Sequence, residues 1–117
     1  MVFVIKYRRR VLTGPLLIEL EDVFRAILAD LHADLTEFNG EPDHVHLSVS
    51  YPPNVAVGEL ARRLKGGSSH YLRARYPQLT NRPSRTALWT SAYFAASAGG
   101  APLDIIRRYI QQQERPK

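Results

Sequence analysis

The sequence predicts an α+β fold, namely a ferredoxin-like β-α-β-β-α-β sandwich with an additional C-terminal helix carrying a tyrosine. Three observations support this prediction: two segments have apolar residues at helical spacing, a segment of alternating residues lies between them, and β-branched or aromatic segments lie towards both ends. We expect one domain over residues 1–117, because this length fits one compact domain and a hydrophobic fraction of 44% suffices for a core.

The first half of the chain predicts a strand, a helix and a second strand. Val2 to Tyr7 is β-branched and aromatic, as is typical of a strand. Thr13-Gly14-Pro15 predicts the start of the first helix, with Thr13 as its cap. Leu35 to Phe38 predicts the second strand, and Asn39-Gly40 predicts the turn that follows it. The apolar residues at helical spacing are Leu16, Leu20, Val23, Phe24, Ile27, Leu28 and Leu31.

The third predicted strand, residues 44–50, has two chemically different faces. Alternation places Val45, Leu47 and Val49 on one face, and it places His44, His46 and Ser48 on the other. We expect the apolar face to lie against the two long helices, so that the histidines lie on the opposite face, where the final helix would fit.

The second helix follows a Pro-Pro break at residues 52–53. Asn54 is its expected cap, Gly66-Gly67 predicts a kink or a close backbone contact, and Pro77 ends it. Its apolar stripe consists of Val57, Leu60, Ala61, Leu64, Tyr71 and Leu72.

The remaining segments predict a loop, a strand and a helix. Residues 78–87 form a polar loop with Arg82 and Arg85, and Leu88 to Ala96 predicts the last strand. Gly99-Gly100 is typical of a hinge or of a plain turn. The final helix is expected from about Pro102 to Gln113.

The charge pattern favours a polyanionic partner. The formal net charge is +5 and the basic residues are clustered; such clusters bind phosphates with release of counterions. Scattered surface charge is the alternative reading. The clusters are Lys6, Arg8, Arg9 and Arg10; then Arg62, Arg63 and Lys65; and finally Arg107 and Arg108.

Composition also excludes several classes of protein. The absence of cysteine excludes disulfides, thiolate metal sites and cysteine nucleophiles. No apolar run is long enough to cross a bilayer, and the basic residues follow the apolar N-terminus instead of preceding it, which argues against a signal peptide. We therefore expect a cytoplasmic protein without membrane contact, associated with the nucleoid when it acts on DNA.

Two groups of residues predict chemistry. His44 and His46 project side by side and can reach one metal ion, although a surface pair without a ligand is the commoner explanation of this spacing. Asp43 either orients an imidazole or holds the turn.

Tyr109 and Gln113 share a face of the last helix. A phenol can attack phosphorus and an amide oxygen can bind Mg²⁺ or Mn²⁺. On the helix alone, however, packing of Tyr109 and a solvated glutamine face is the favoured interpretation.

The ordered motifs resemble a known family over nearly the whole chain. Lys6-Tyr7-Arg8-Arg9, then Asp43-His44-Val45-His46, and finally Tyr109-Ile110-Gln111-Gln112-Gln113 resemble the single-tyrosine HUH transposases. These belong to insertion sequences of the IS-two-hundred/IS-six-oh-five type. The segments Arg63-Leu64-Lys65-Gly66, Leu88-Trp89 and Ser97-Ala98-Gly99-Gly100 resemble further parts of that family.

The resemblance implies specific roles. His44, His46 and Gln113 correspond to the ligands of Mg²⁺ or Mn²⁺, and Tyr109 corresponds to the nucleophile. The implied activity is metal-assisted cleavage and rejoining of single-stranded DNA at insertion-sequence ends through a 5′-phosphotyrosine intermediate. The implied partners are hairpin DNA and a second copy of the chain, in a homodimer whose sites are shared between subunits. The residues expected to contact DNA are Lys6, Arg8, Arg9, Arg10, Arg62, Arg63 and Lys65.

Three other functions remain as alternatives. A domesticated hairpin-DNA-binding module would keep the fold and lose transposition, but it has no need of His44, His46, Tyr109 and Gln113 together. Relaxases and replication-initiator nucleases share the histidine pair, but they are usually longer. A cupin-type metalloenzyme conflicts with two clear helices.

Overall fold

The computed structural model describes residues 1–80, 88–96 and 103–113, and it has the predicted α+β class. Three strands form an antiparallel sheet in the order β1-β3-β2. The strands are β1 (Val2–Val4), β2 (Asp34–Glu41) and β3 (His44–Ser50), and the helices are α1 (Gly14–Asp30), α2 (Val57–Arg75) and α3 (Leu103–Gln112).

Helix α1 has well-formed caps at both ends. The Thr13 hydroxyl accepts a hydrogen bond from the Leu16 amide at 3.4 Å, as predicted for the N-cap. At the other end the His32 and Ala33 amides donate to the carbonyls of Ala29 and Leu28, which is the Schellman arrangement. His32 has the left-handed φ of 58° that this arrangement requires, a conformation that favours glycine.

We therefore expect His32→Gly to stabilise the protein by about 1 kcal/mol, because glycine avoids the left-handed strain of a side chain. Urea unfolding monitored by circular dichroism measures this difference. His32→Ala is the control, since alanine keeps the Cβ and gains nothing from relief of strain. An unchanged or lower stability for His32→Gly contradicts the prediction.

The β2-β3 hairpin corrects the predicted turn. Asn39 and Gly40 lie within β2, paired with His46 and Val45, and the turn is formed by Pro42-Asp43. Glycine at position 40 reflects close packing instead, because a Cβ there would collide with the Leu17 side chain of α1.

Strand β1 is shorter than predicted. It ends at Val4 because its partner β3 begins at His44, opposite Val4. The chain then makes a tight turn over Lys6–Arg8, in which Tyr7 and Arg8 have φ values of 64° and 51°. Backbone hydrogen bonds fix this turn: the Ile5 amide donates to Asp43, and the Arg8 amide donates to Ile5.

Helix α2 begins later than the sequence predicts. Asn54 does not cap it; the helix starts at Val57, because the Val55 amide donates to the Pro52 carbonyl and residues 52–55 form their own turn. The helix ends before Pro77, as predicted. A Cβ at Gly67 would lie 2.7 Å from Ile27 Cδ1, so the predicted close contact at the glycine pair is confirmed and is made with α1.

The main core lies between the sheet and the pair α1 and α2. Phe3, Val45 and Leu47 face this side of the sheet and are fully buried. Trp89 is also part of the core: its ring lies 5.8 Å from that of Phe3, and its indole N–H donates to Ser68 Oγ at 2.9 Å.

Residues 88–96 lie beside β1 but do not form the continuous strand that the sequence predicts. Two isolated antiparallel bridges join Ile5 to Trp89 and Val2 to Phe94. Val2 and Ile5, which lie in β1 and directly after it, are three positions apart, whereas their partners are five apart, so two extra residues interrupt the pairing. At this interruption Lys65 Nζ donates to the Ala92 carbonyl at 3.0 Å.

Helix α3 occupies the predicted position on the other face of the sheet. Ile110 packs against Val2 and Val4, with Ile106 and Tyr109 beside it. The predicted loop arginines Arg82 and Arg85, and the hinge at 99–100, lie outside the described residues. Within the ranges that the structure describes, no helix combines the length and the apolar character needed to cross a membrane.

Candidate active site

The predicted histidine face is the face on which α3 lies. Directly paired residues of antiparallel strands share a face, and Val2 pairs with His46 while Val4 pairs with His44. Val2 and Val4 are also the residues on which Ile110 packs. The sheet thus places both imidazoles on the side that carries the tyrosine helix, opposite α1 and α2.

His44 is oriented by a buried carboxylate. Its Nδ1 lies 2.8 Å from Asp43 Oδ1, and since a carboxylate only accepts, Nδ1–H is the donor. The other carboxylate oxygen of Asp43 accepts from Arg8 Nε at 3.1 Å. Burial pushes the pKa of Asp43 up, but the hydrogen bonds and charges of His44 and Arg8 outweigh burial and hold that pKa below its usual value. The lone pair of His44 Nε2 remains available to a ligand.

His46 is exposed, and its pKa is lowered. Burial of part of its ring lowers its pKa, the positive amino terminus and His44 lower it further, and Glu37 opposes them. A neutral imidazole is the form that binds a metal.

The phenol of Tyr109 is partly buried beside the sheet. Its ring centroid lies 5.6 Å from that of Phe94, and burial raises its pKa, against a smaller opposing effect of the Thr90 hydroxyl. Its hydroxyl is buried and makes no hydrogen bond of good geometry within the described residues. Such a group is costly unless a ligand or substrate satisfies it.

Gln113 follows directly on α3, one helical turn after Tyr109. Its backbone N–H donates to the Ile110 backbone carbonyl at 3.0 Å, so this bond continues the last turn of the helix to Gln113. Its side chain is half-buried.

The side chains on this face fit a divalent cation as a mixed nitrogen and oxygen set. His44 and His46 offer two imidazole nitrogens, and Gln113 offers an amide oxygen on the neighbouring helix. Over residues 1–80, 88–96 and 103–113, no three histidine, aspartate or glutamate side chains form a metal-binding group. The amide oxygen of Gln113 as a third protein ligand stays a prediction.

In the first basic cluster, Arg8 is the residue whose contact leads to the histidines, through Asp43. Arg8 reaches Asp43, and Arg9 Nη2 donates to the Leu79 carbonyl at 3.4 Å. Arg10 is exposed, and Lys6 Nζ lies 5.8 Å from the centroid of the Tyr7 ring.

The second cluster belongs to α2, which covers the opposite face of the sheet. Arg62 makes an exposed ion pair with Glu59, at 2.6 Å. Lys65 is committed to the Ala92 carbonyl, and burial lowers its pKa. Arg63 is partly exposed. The structure thus does not bring the two clusters together on the histidine face.

Sequence reasoning left Asp43 with two alternative roles and did not identify the docking surface of α3. The adjacency of Asp43 to His44 was the available signal for the carboxylate, but its bond to Arg8 connects positions 35 residues apart. The docking surface of α3, formed by Val2 and Val4, shows only in the register of β1 against β3.

Comparisons with known proteins agree with this architecture. The family model described as "Transposase IS200 like" matches residues 1–113. The chain is 31% identical to the ISDra2 transposase TnpA of Deinococcus radiodurans, over 97% of this chain and 81% of that protein. It is 26% identical to the transposase for insertion sequence element IS200 of Salmonella typhimurium, over 96% of this chain and 73% of the relative. A crystal structure of a transposase candidate from Deinococcus radiodurans superposes with a TM-score of 0.84 at 26% identity, covering 98% of this chain and 88% of that one. The chain therefore belongs to the family of IS200-like transposases.

Proposed function

We propose that this transposase cleaves and rejoins single-stranded DNA at insertion-sequence ends, with Tyr109 as nucleophile and a divalent cation held by His44, His46 and Gln113. The observation that carries the proposal is the shared sheet face: a carboxylate-oriented His44 lies beside His46, and α3 seats Tyr109 on the same side. Mg²⁺ or Mn²⁺ is the proposed cofactor.

The chemistry assigned to the chain's own residues is an exchange of phosphate esters. The Tyr109 oxygen attacks the scissile phosphorus and its proton passes to water. The bond from phosphorus to the 3′ oxygen breaks, and the departing 3′ oxygen takes a proton from water. The products are a 5′-phosphotyrosine and a free 3′-hydroxyl, which can later attack a phosphotyrosine and rejoin the strand. A bound cation would polarise the phosphate and stabilise its developing charge. Because one ester replaces another, no nucleotide cofactor is needed.

The raised pKa of Tyr109 is compatible with this role. Burial favours the protonated phenol against the smaller effect of the Thr90 hydroxyl, and the buried oxygen makes no hydrogen bond of good geometry among the described residues. An incoming phosphate oxygen would satisfy the buried hydroxyl, which favours binding of substrate at that position.

The decisive experiment uses single-stranded DNA from both ends of the encoding element, labelled separately at the 5′ and 3′ ends. In Mg²⁺ or Mn²⁺ we expect a covalent adduct that survives denaturation and retains the 3′ label, while the 5′ label leaves on a fragment with a free 3′-hydroxyl. EDTA should abolish the adduct. An adduct retaining the 5′ label overturns the proposed polarity, and hairpin binding without any adduct favours a DNA-binding module of the same fold.

Binding of DNA should depend strongly on salt and should favour hairpin or single-stranded DNA over duplex. If half of the seven predicted basic residues contact phosphates, affinity should fall about a hundredfold between roughly 50 and 200 mM salt. Preference for unpaired DNA would come from stacking of bases on exposed rings such as Tyr7, which is 39% exposed. A competition titration at fixed salt with a hairpin, its linear strand and a matched blunt duplex measures this preference. Equal or tighter duplex binding contradicts it.

The proposal includes a homodimer with shared sites and a ferredoxin-like fold. The dimer rests on the family resemblance, and size-exclusion chromatography with light scattering tests it. The ferredoxin-like arrangement is supported by residues 88–96, whose antiparallel bridges to β1 occupy the position of a fourth strand.

A further inference from the structure

We propose that Asp43 is a positioning residue for the metal-binding imidazole of His44, and that Arg8 acts through Asp43 and not as a phosphate ligand. This inference rests on the proposed function, because it assigns His44 to a cation. It changes the role that the basic cluster at residues 6–10 suggests for Arg8.

The first step concerns the carboxylate. The Asp43 side chain is only 7% exposed, and each of its oxygens has a partner: Oδ1 binds His44 Nδ1 at 2.8 Å and Oδ2 binds Arg8 Nε at 3.1 Å. A buried carboxylate needs such partners, since an unpaired charge in this environment is strongly destabilising. Asp43 therefore has a defined orientation, set jointly by the imidazole and the guanidinium.

The second step concerns the imidazole. With Nδ1–H donated to Asp43, the ring has one tautomer and a restricted rotation, and its Nε2 lone pair is the site left for a cation. Among the described residues no carboxylate binds a ring nitrogen of His46 in this way, so the two imidazoles are not equivalent. His44 is the preoriented one.

The third step concerns Arg8. Its side chain is 29% exposed and reaches back over the start of β3, whereas the neighbouring Arg10 is exposed. The turn that aims it there has two successive left-handed residues, Tyr7 and Arg8, a conformation that costs free energy in residues with a Cβ. Hydrogen bonds of Ile5 and Lys6 to Asp43 and Leu88 hold the turn in that conformation. Arg8 thus belongs to the support of the histidine and not to the open basic surface.

The test measures Mn²⁺ affinity of the full chain without DNA, by electron paramagnetic resonance of the free ion. We expect Asp43→Asn to weaken binding by about 10- to 100-fold. The amide keeps the shape of the side chain, but its NH₂ group then faces a hydrogen-bond donor of either Arg8 or His44, and two donors cannot bond each other. Arg8→Gln should weaken Mn²⁺ binding by a smaller factor, and its effect should largely vanish in the Asp43→Asn background, because the two residues act in one chain. Arg25→Gln is the matched control, since Arg25 also pairs with a carboxylate, Glu21, but on α1.

A second measurement separates the two roles of Arg8. Hairpin binding in EDTA should fall less for Arg8→Gln than for Arg10→Gln, which removes the same charge from an exposed side chain. The inference is overturned if Arg8→Gln leaves Mn²⁺ affinity unchanged, or if its effect adds fully to that of Asp43→Asn. No Mn²⁺ binding by the unaltered chain would instead overturn the proposed function, and the inference with it. If circular dichroism shows that Asp43→Asn does not fold, the Mn²⁺ affinity of Arg8→Gln, compared with those of the unaltered chain and of Arg25→Gln, decides the test.

Discussion

Tyr109→Phe is expected to abolish the covalent adduct with single-stranded DNA while leaving the protein as stable as the unaltered chain, or up to about 1 kcal/mol more stable. The loss of activity follows from loss of the nucleophile and should be on the order of 10⁴-fold or more. The stability follows from the structure: the hydroxyl is buried without a good hydrogen bond in the described part of the chain, so its removal relieves an unsatisfied polar group. Denaturing gels and thermal melting measure the two effects.

A second tyrosine provides the matched control for this variant. Tyr71 is 42% exposed on α2, and its hydroxyl lies 3.5 Å from Glu19. Tyr71→Phe removes the same atom and should retain the adduct. If Tyr109→Phe still forms the adduct, another residue is the nucleophile. If Tyr109→Phe retains hairpin binding but loses the adduct, Tyr109 is needed for cleavage and not for binding of DNA.

His46→Ala is expected to remove metal-dependent cleavage with a change in stability within about 0.5 kcal/mol, because the side chain is exposed. His44→Ala should remove cleavage equally but cost about 1 kcal/mol more stability, since it takes one partner from the buried Asp43 carboxylate. Adduct formation in Mn²⁺ measures the cleavage activity of both variants, and urea unfolding measures their stability.

Ser48→Ala is the control for the histidine variants, because Ser48 lies on the same face of β3 and its hydroxyl donates to the exposed Glu37 carboxylate. It should keep full cleavage. Unfolding of His46→Ala at room temperature would show that this histidine serves the fold, and retained cleavage would exclude it as a ligand.

Periodic patterns predicted the helices and β3 well, because these elements follow from local physics. The cap at Thr13 and the alternation of residues 44–50 depend on neighbours within a few positions, and both are confirmed. The chemical candidates His44, His46 and Tyr109 came from residue type and from resemblance. The structure adds their placement on one sheet face, while their roles remain predictions.

The wrong predictions share a tertiary cause. Asn39-Gly40 has the composition of a turn, but Gly40 is in the strand because Leu17 of α1 occupies the space of a side chain. The end of β1 at Val4 depends on where β3 begins, 40 residues later. The ion pair of Arg8 with Asp43 likewise joins positions 35 residues apart. Such long-range pairings leave no periodic signal in the sequence.

The segment of residues 88–96 is anchored on both sides of the sheet at once. Trp89 is bound within the main core by Phe3 and by Ser68, while Phe94, five residues later, contacts the ring of Tyr109 on the opposite face. Both anchors sit on one short stretch of backbone, so the surface on which α3 docks is joined covalently to the packing of the main core. A substitution of Trp89 or Ser68 is therefore expected to loosen the seating of α3 on the opposite face of the sheet.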